Sequence, residues 1–197
     1  WRSGSSQLLR RRQLMWGSNL FHIGILVILI GHTGGLLTPV FIFEAVGISH
    51  TAKQLTAIIV GGVAGIMCLI GLVMLLHRRL FDPRIRQTSS IADIGVLVIL
   101  LAQLLLGLGT IVVSLGHLDG GEMVALMGWA QRIVTLRPGA ADLAATVSPI
   151  FKIHLVLGMT IFLIFPFTRL VHILSAPIWY LGRRGYQIVR TKRLGKA

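Results

Sequence analysis

The stretch NLFHIGILVILIGHTGG, Asn19 to Gly35, is apolar enough to lie in lipid, yet it carries two imidazoles, His22 and His32. An ionisable side chain at that depth is costly unless it is paired or bound, so it points to function rather than to filling. Three further apolar runs follow, and together they define spans of about Ser18 to Phe43, Ala57 to Leu76, Ile91 to Ser114 and Pro149 to Ser175. Each is long enough for a hydrocarbon core of about 30 Å at 1.5 Å per residue. The expected fold is an all-α integral membrane bundle: four transmembrane helices and one helix lying on the membrane surface.

Composition agrees. Of 197 residues, 54% are hydrophobic and only 13% are charged, with a mean hydropathy of +0.82. A formal charge of +13 could suit nucleic acid, but the cations sit between the apolar runs and line no soluble face, so nucleic-acid binding is excluded. Cys68 is the single cysteine and lies within a span, which rules out a disulfide within the chain and assigns it a packing role. The chain opens at Trp1 without a signal-peptide layout, as an excised piece of a longer protein would.

Cationic side chains set the orientation, because they are retained on the cytoplasmic side. Arg2 and Arg10 to Arg12, then Arg78, Arg79, Arg84 and Arg86, then the tail from Arg183 to Lys196 all face inward. The connections bearing Glu44, His50 and Lys53, and Asp119 to Asp142, are nearly balanced and face outward. Within the second of these, GEMVALMGWAQRIVTL has helical apolar spacing, with Trp129 placed as an interfacial aromatic. Pro83 and Pro177 each fall just beyond a span, where a helix stops.

Topology sorts the seven histidines. His50, His77 and His117 fall in connections or at a helix end, whereas His22, His32, His154 and His172 lie inside spans. His32 stands about 15 Å outward of His22, and His172 about 27 Å inward of His154, so antiparallel first and fourth spans pair His22 with His172 and His32 with His154. The second pair of numbers corresponds to five helical turns, which puts His154 and His172 on one helix face. Two bis-imidazole sites result, with centres about 20 Å apart. Zinc asks for more ligands than these spans offer, and copper commonly brings Met or Cys; two haems, each held by one imidazole from each helix, satisfy the geometry. Gly24, Gly31, Gly34, Gly35 and Gly158 would leave room for porphyrin faces, although small residues also serve plain helix packing. Iron ligated on both sides binds no substrate and passes single electrons. Arg169 is placed either to meet a haem propionate or to snorkel to the inner interface.

An electron donor resident in the membrane is a quinol. Near the outer site, Thr33, Thr38, Glu44, Gln54 and Lys53 offer polar groups for its oxygens, although Lys53 is placed equally well as an ordinary membrane-flanking lysine. Electrons reaching the inner face need an acceptor on a partner, which the inner arginines could dock, though anionic membrane lipid explains the same charge.

The segments SNLFHIGIL, GH followed by LTP, CLIGLVMLLHRRLFDPRIR, MGWAQ and KIHLVLGMTIFLIFPFTRLVHI closely resemble the gamma subunit of respiratory nitrate reductase, a dihaem cytochrome b. The resemblance covers essentially all 197 residues as one transmembrane domain. It implies a five-helix family protein whose first helix precedes Trp1, a multi-pass place in the inner (cytoplasmic) membrane, and no catalytic residue beyond the electron path. It implies that His22 and His172 bind the proximal haem and His32 and His154 the distal one. Quinol is then oxidised near the distal haem, where Gly31, Gly35 and Lys53 match the family's pocket, the last across a one-residue insertion. Electrons would pass to an iron-sulfur beta subunit and a molybdenum-containing alpha subunit that reduces nitrate. Two other assignments are compatible with the residues: a dihaem anchor of hydrogenase or formate dehydrogenase type that reduces quinone, and a haem-free transporter or anchor whose histidines relay protons or pack helices.

Overall fold

The computed structural model describes residues 11–174, with side chains from residue 14 onward. Arg2, Arg10, Ser175, Pro177 and the cationic tail from Arg183 to Lys196 lie outside the described residues. Every regular element described is helical: α1 (Arg11–Leu37), α2 (Val40–Ala45), α3 (His50–Phe81), α4 (Pro83–Gln87), α5 (Ile91–Leu115), α6 (Gly121–Val134), α7 (Ala140–Thr146) and α8 (Pro149–Ile164), then two short 3-10 segments, Phe165–Phe167 and Arg169–Ile173. Four helices are long and apolar enough to cross a membrane, and they begin or lie within α1, α3, α5 and α8. Large side chains such as Ile30, Ile59 and Phe162 are 69%, 63% and 71% exposed, which suits lipid and would be untenable in water.

The helix ends follow from local chemistry. α1 stops at Leu37 rather than running to Phe43, because Pro39 supplies no N–H and biases the residue before it away from the α region. α3 begins at His50, well before the apolar run at Ala57, because the Ser49 side chain accepts the Ala52 N–H and caps the first turn. It ends at Phe81, where Asp82 turns extended and accepts the N–H groups of Arg84 and Ile85, so that Pro83 opens the short α4. α5 matches the expected span almost to the residue, starting from a reciprocal cap between Ser90 and Asp93. α2, α4 and α7 are too short to be visible as apolar runs.

The fourth span departs most from expectation. α8 ends at Ile164, the chain tightens to a 3-10 turn around Pro166, passes through extended Thr168 and tightens again over Arg169–Ile173. Proline removes one backbone bond and crowds the carbonyl four residues back, which accounts for the break. His154 and His172 therefore belong to different elements, and the five-turn argument for a shared face does not hold.

α1 packs chiefly on α3, α3 on α5, and α5 on α8, so α1 and α8 lie at opposite ends of the packing order. The α1–α3 crossing is close because Gly24 meets backbone: a Cβ there would stand 2.7 Å from the Ala64 carbonyl oxygen and the Cys68 nitrogen. Gly71 of α3 likewise abuts the backbone of Gly17 and Phe21. Ala64, Cys68 and Leu72 are buried along this seam, Cys68 as the small packing residue expected.

At the end of the bundle where α3 gives way to α5, the Asp93 carboxylate, 5% exposed, accepts the Ser90 N–H at 2.9 Å, lies 3.7 Å from Arg79 Nη1 and pairs closely with Arg169. One carboxylate thus ties α3, α5 and the last 3-10 segment together. Asp93→Asn leaves two guanidinium groups without their counter-charge and is expected to cost about 3 kcal/mol. Thermal unfolding in detergent should show the loss, with Asp119→Asn in the outer loop as a neutral control.

Candidate functional site

His22, His32, His154 and His172 meet in two pairs, although His172 lies beyond the fourth candidate span, which ends at Phe167. The rings of His22 and His172 have centroids 6.0 Å apart with planes at 71°. Those of His32 and His154 are 6.3 Å apart at 42°. Both pairs join α1 to the chain after α5 without close backbone packing between α1 and α8. A metal–imidazole bond of about 2.0–2.1 Å, with each ring centre about 1 Å further out, sets two axial rings roughly 6 Å apart. The side-chain separations present therefore fit a metal held between each pair.

The opposite nitrogens add to the fit. Nδ1 of His22 lies 2.7 Å from the Ser18 carbonyl oxygen, Nδ1 of His32 lies 2.8 Å from that of Ile28, and Nδ1 of His172 lies 2.6 Å from that of Arg169. Donation of Nδ1–H to a backbone carbonyl fixes the tautomer and directs the Nε2 lone pair outward, as metal-binding histidines require. His154 is built differently. Its Nε2 lies 3.3 Å from the Gln103 amide nitrogen, while its buried Nδ1 has no hydrogen-bond partner among the described residues.

The glycines divide into two groups. A Cβ at Gly31, Gly34 or Gly35 would meet nothing within 4 Å, so these positions do leave one side of α1 unobstructed around His32. Gly24 instead serves the α1–α3 crossing, and a Cβ at Gly158 would lie 3.1 Å from Gln103 Nε2, so neither makes room for a cofactor face. Arg169 turns to Asp93.

At the end of α1 beyond the His32–His154 pair, Lys53 Nζ donates to the Gly35 carbonyl at 3.0 Å, sits 2.7 Å from Met127 Sδ and lies 3.8 Å from the centre of the Phe43 ring. Two of the expected quinol-pocket residues, Lys53 and Gly35, are thereby in contact, while Gly31 lies one turn below on α1. α6 covers this end: Met127 is buried, and the Gln131 amide donates to the Leu36 and Thr38 carbonyls at 3.1 Å each, holding the chain where α1 has ended. α6 is thus a packed cap over the end of α1. The remaining polar residues point elsewhere. Thr33 bonds back to Leu29 and Ile30, Gln54 donates to Ser114 and His117 carbonyls, and Glu44 pairs with His50 at 3.5 Å.

Gln103, Met127, Gln131 and Phe43 were not foreseen. A signal existed for Gln103, an amide in the middle of ILLAQLLLG, where a polar group in lipid seeks a partner. For the other three, nothing local in the sequence distinguishes a contact from an ordinary apolar or loop position.

The family model described as "Nitrate reductase gamma subunit" matches residues 1–192. The chain belongs to that family. As a nitrate reductase gamma subunit it is a multi-pass membrane component of an oxidoreductase complex. It is 52% identical over 192 residues to respiratory nitrate reductase 1 gamma chain of Escherichia coli, covering 98% of this chain and 84% of that one. Identity to that organism's respiratory nitrate reductase 2 gamma chain is 53% over 193 residues, with the same two coverages. The nitrate reductase gamma chain of Bacillus subtilis is 40% identical over 192 residues, 98% of this chain and 85% of its own.

Proposed function

We propose that this gamma subunit, acting as a single domain of the cytoplasmic membrane, is a cytochrome b that oxidises quinol near the outer face. It delivers the electrons to an iron-sulfur beta subunit and a molybdenum-containing alpha subunit on the inner face. The observation that carries this is the pair of imidazole couples spanning α1 and the chain after α5, at 6.0 and 6.3 Å. His22 with His172 would hold the inner b haem, and His32 with His154 the outer one. Bound there, each haem supplies one-electron chemistry at an iron with no open position.

The chain's own residues do the rest. Backbone carbonyls of Ser18, Ile28 and Arg169 orient three of the four rings. Lys53, already placed against Gly35, has donors for a quinol oxygen and favours the negative charge that deprotonation leaves there. Phe43 and Met127 keep that ammonium in a partly buried setting, where such a bond is stronger than in water. Protons released on this side and electrons leaving on the other separate charge across the membrane.

Reduction by a menaquinol analogue under anaerobic conditions tests the proposal. The purified complex should show a Soret band and b-type α-bands that sharpen on adding quinol and fade on adding nitrate. An oxidised spectrum that quinol leaves unchanged would count against quinol oxidation. Lys53→Ala is expected to keep the haem spectrum and slow quinol-driven reduction about tenfold to a hundredfold, the loss of one hydrogen bond to a charged group. A rate equal to the parent's removes Lys53 from the pocket.

A further inference from the structure

Of the four paired histidines, His22, His32 and His172 each lie against a carbonyl of their own chain segment, and His154 does not. Its partner comes from another helix. Gln103, near the middle of α5, directs its amide nitrogen to His154 Nε2 at 3.3 Å and to the His154 carbonyl oxygen at 3.1 Å. The amide lies against Gly158 and the His154 ring against Gly107. A Cβ at Gly107 would stand 3.0 Å from His154 Cε1, and one at Gly158 would stand 3.1 Å from Gln103 Nε2. Buried against lipid, the Gln103 carbonyl oxygen and His154 Nδ1 have no partner among the described residues. An arrangement that leaves two polar atoms unpaired at that depth is costly unless it serves the imidazole.

A neutral imidazole has one donor and one acceptor. An amide N–H aimed at Nε2 makes Nε2 the acceptor and leaves the proton on Nδ1. That is the tautomer the other three histidines reach by donating Nδ1–H to a carbonyl. We infer that Gln103 is the positioning residue of the outer site: its amide anchors the His154 carbonyl and, until a metal displaces the longer contact, donates to Nε2, keeping the proton on Nδ1 so that Nε2 is the nitrogen left to bind. The bond to the carbonyl is the shorter of the two and survives when the longer contact gives way to a metal. The inference rests on His32 and His154 being the outer haem ligands.

The test compares Gln103→Met with the parent in the intact complex. Methionine has similar length and no donor, and an apolar residue in lipid does not endanger the fold. Low-spin EPR lines of bis-histidine haem report the relative orientation of the two imidazole planes. Gln103→Met should shift the outer haem's line and midpoint potential and lower outer haem retention, while the inner haem's line stays in place. Gly158→Ala, which crowds the amide without removing it, should move the same line. Outer signals identical to the parent's in both variants overturn the inference, and so does an equal shift at both haems, which marks a general loosening of the bundle. Failure of the underlying assignment is distinguishable: a parent without haem, or one that keeps both haems after His154→Ala, removes the outer site itself.

Discussion

Replacing His32 or His154 with alanine is expected to cut haem content by about half and to abolish one low-spin EPR signal while sparing the other. Each imidazole couple has a ring from α1 and a ring from beyond α5, so either member should erase the same signal. His22→Ala and His172→Ala should erase the complementary one. The pairing is what makes the prediction sharp. Were the couples crossed, with His22 facing His154, the four variants would group differently; the observed couples, at 6.0 and 6.3 Å, permit only one grouping. Without one imidazole of a couple, the haem that the couple would hold should be lost or its electron transfer impaired, so quinol-driven nitrate reduction should fall below detection in the outer-site variants. His50→Ala and His117→Ala, on the outer connections, should match the parent in haem content and in rate. Full haem content in both His32→Ala and His154→Ala would sink the dihaem assignment.

Gly24→Leu should have an even wider effect, because it acts on both sites at once. A Cβ at Gly24 would already lie 2.7 Å from backbone atoms of Ala64 and Cys68, and backbone cannot rotate aside as a side chain can. The added bulk must push α1 off α3, its main packing partner. Overpacking of this sort costs about 1–3 kcal/mol where side chains can yield, and more where they cannot. α1 carries both His22 and His32, so both couples should widen and both haems should be lost, with the apoprotein unfolding at lower temperature in detergent. Gly61→Ala, where an added Cβ meets nothing within 4 Å, is the control: it should retain both haems and gain up to about 1 kcal/mol from helix propensity. A Gly24→Leu protein with its full haem complement would show that the α1–α3 seam can open without disturbing the ligand rings.

Much about this chain is determined by residue type and spacing alone. Four apolar runs of membrane length dictate a helical bundle, since lipid offers no partner to an unpaired backbone group. Histidines within two of those runs single out the side chains that matter, because an ionisable group at that depth is costly unless it is paired or bound. Proline placement shows where a helix can be interrupted, although Pro166 inside an apolar run was outweighed by the hydropathy around it.

What tertiary structure alone decided is how side chains from distant segments meet. His22 reaches His172 by way of a broken helix, not by five even turns. Gly24 turned out to face α3 and Arg169 to face Asp93, because the rotation of each element about its axis is set by the packing of all of them. The same holds for Gln103 beside His154 and for Met127 beside Lys53. Hydropathy reports how deep a residue can lie in the membrane, whereas direction around a helix is resolved only when neighbouring surfaces compete for the same space.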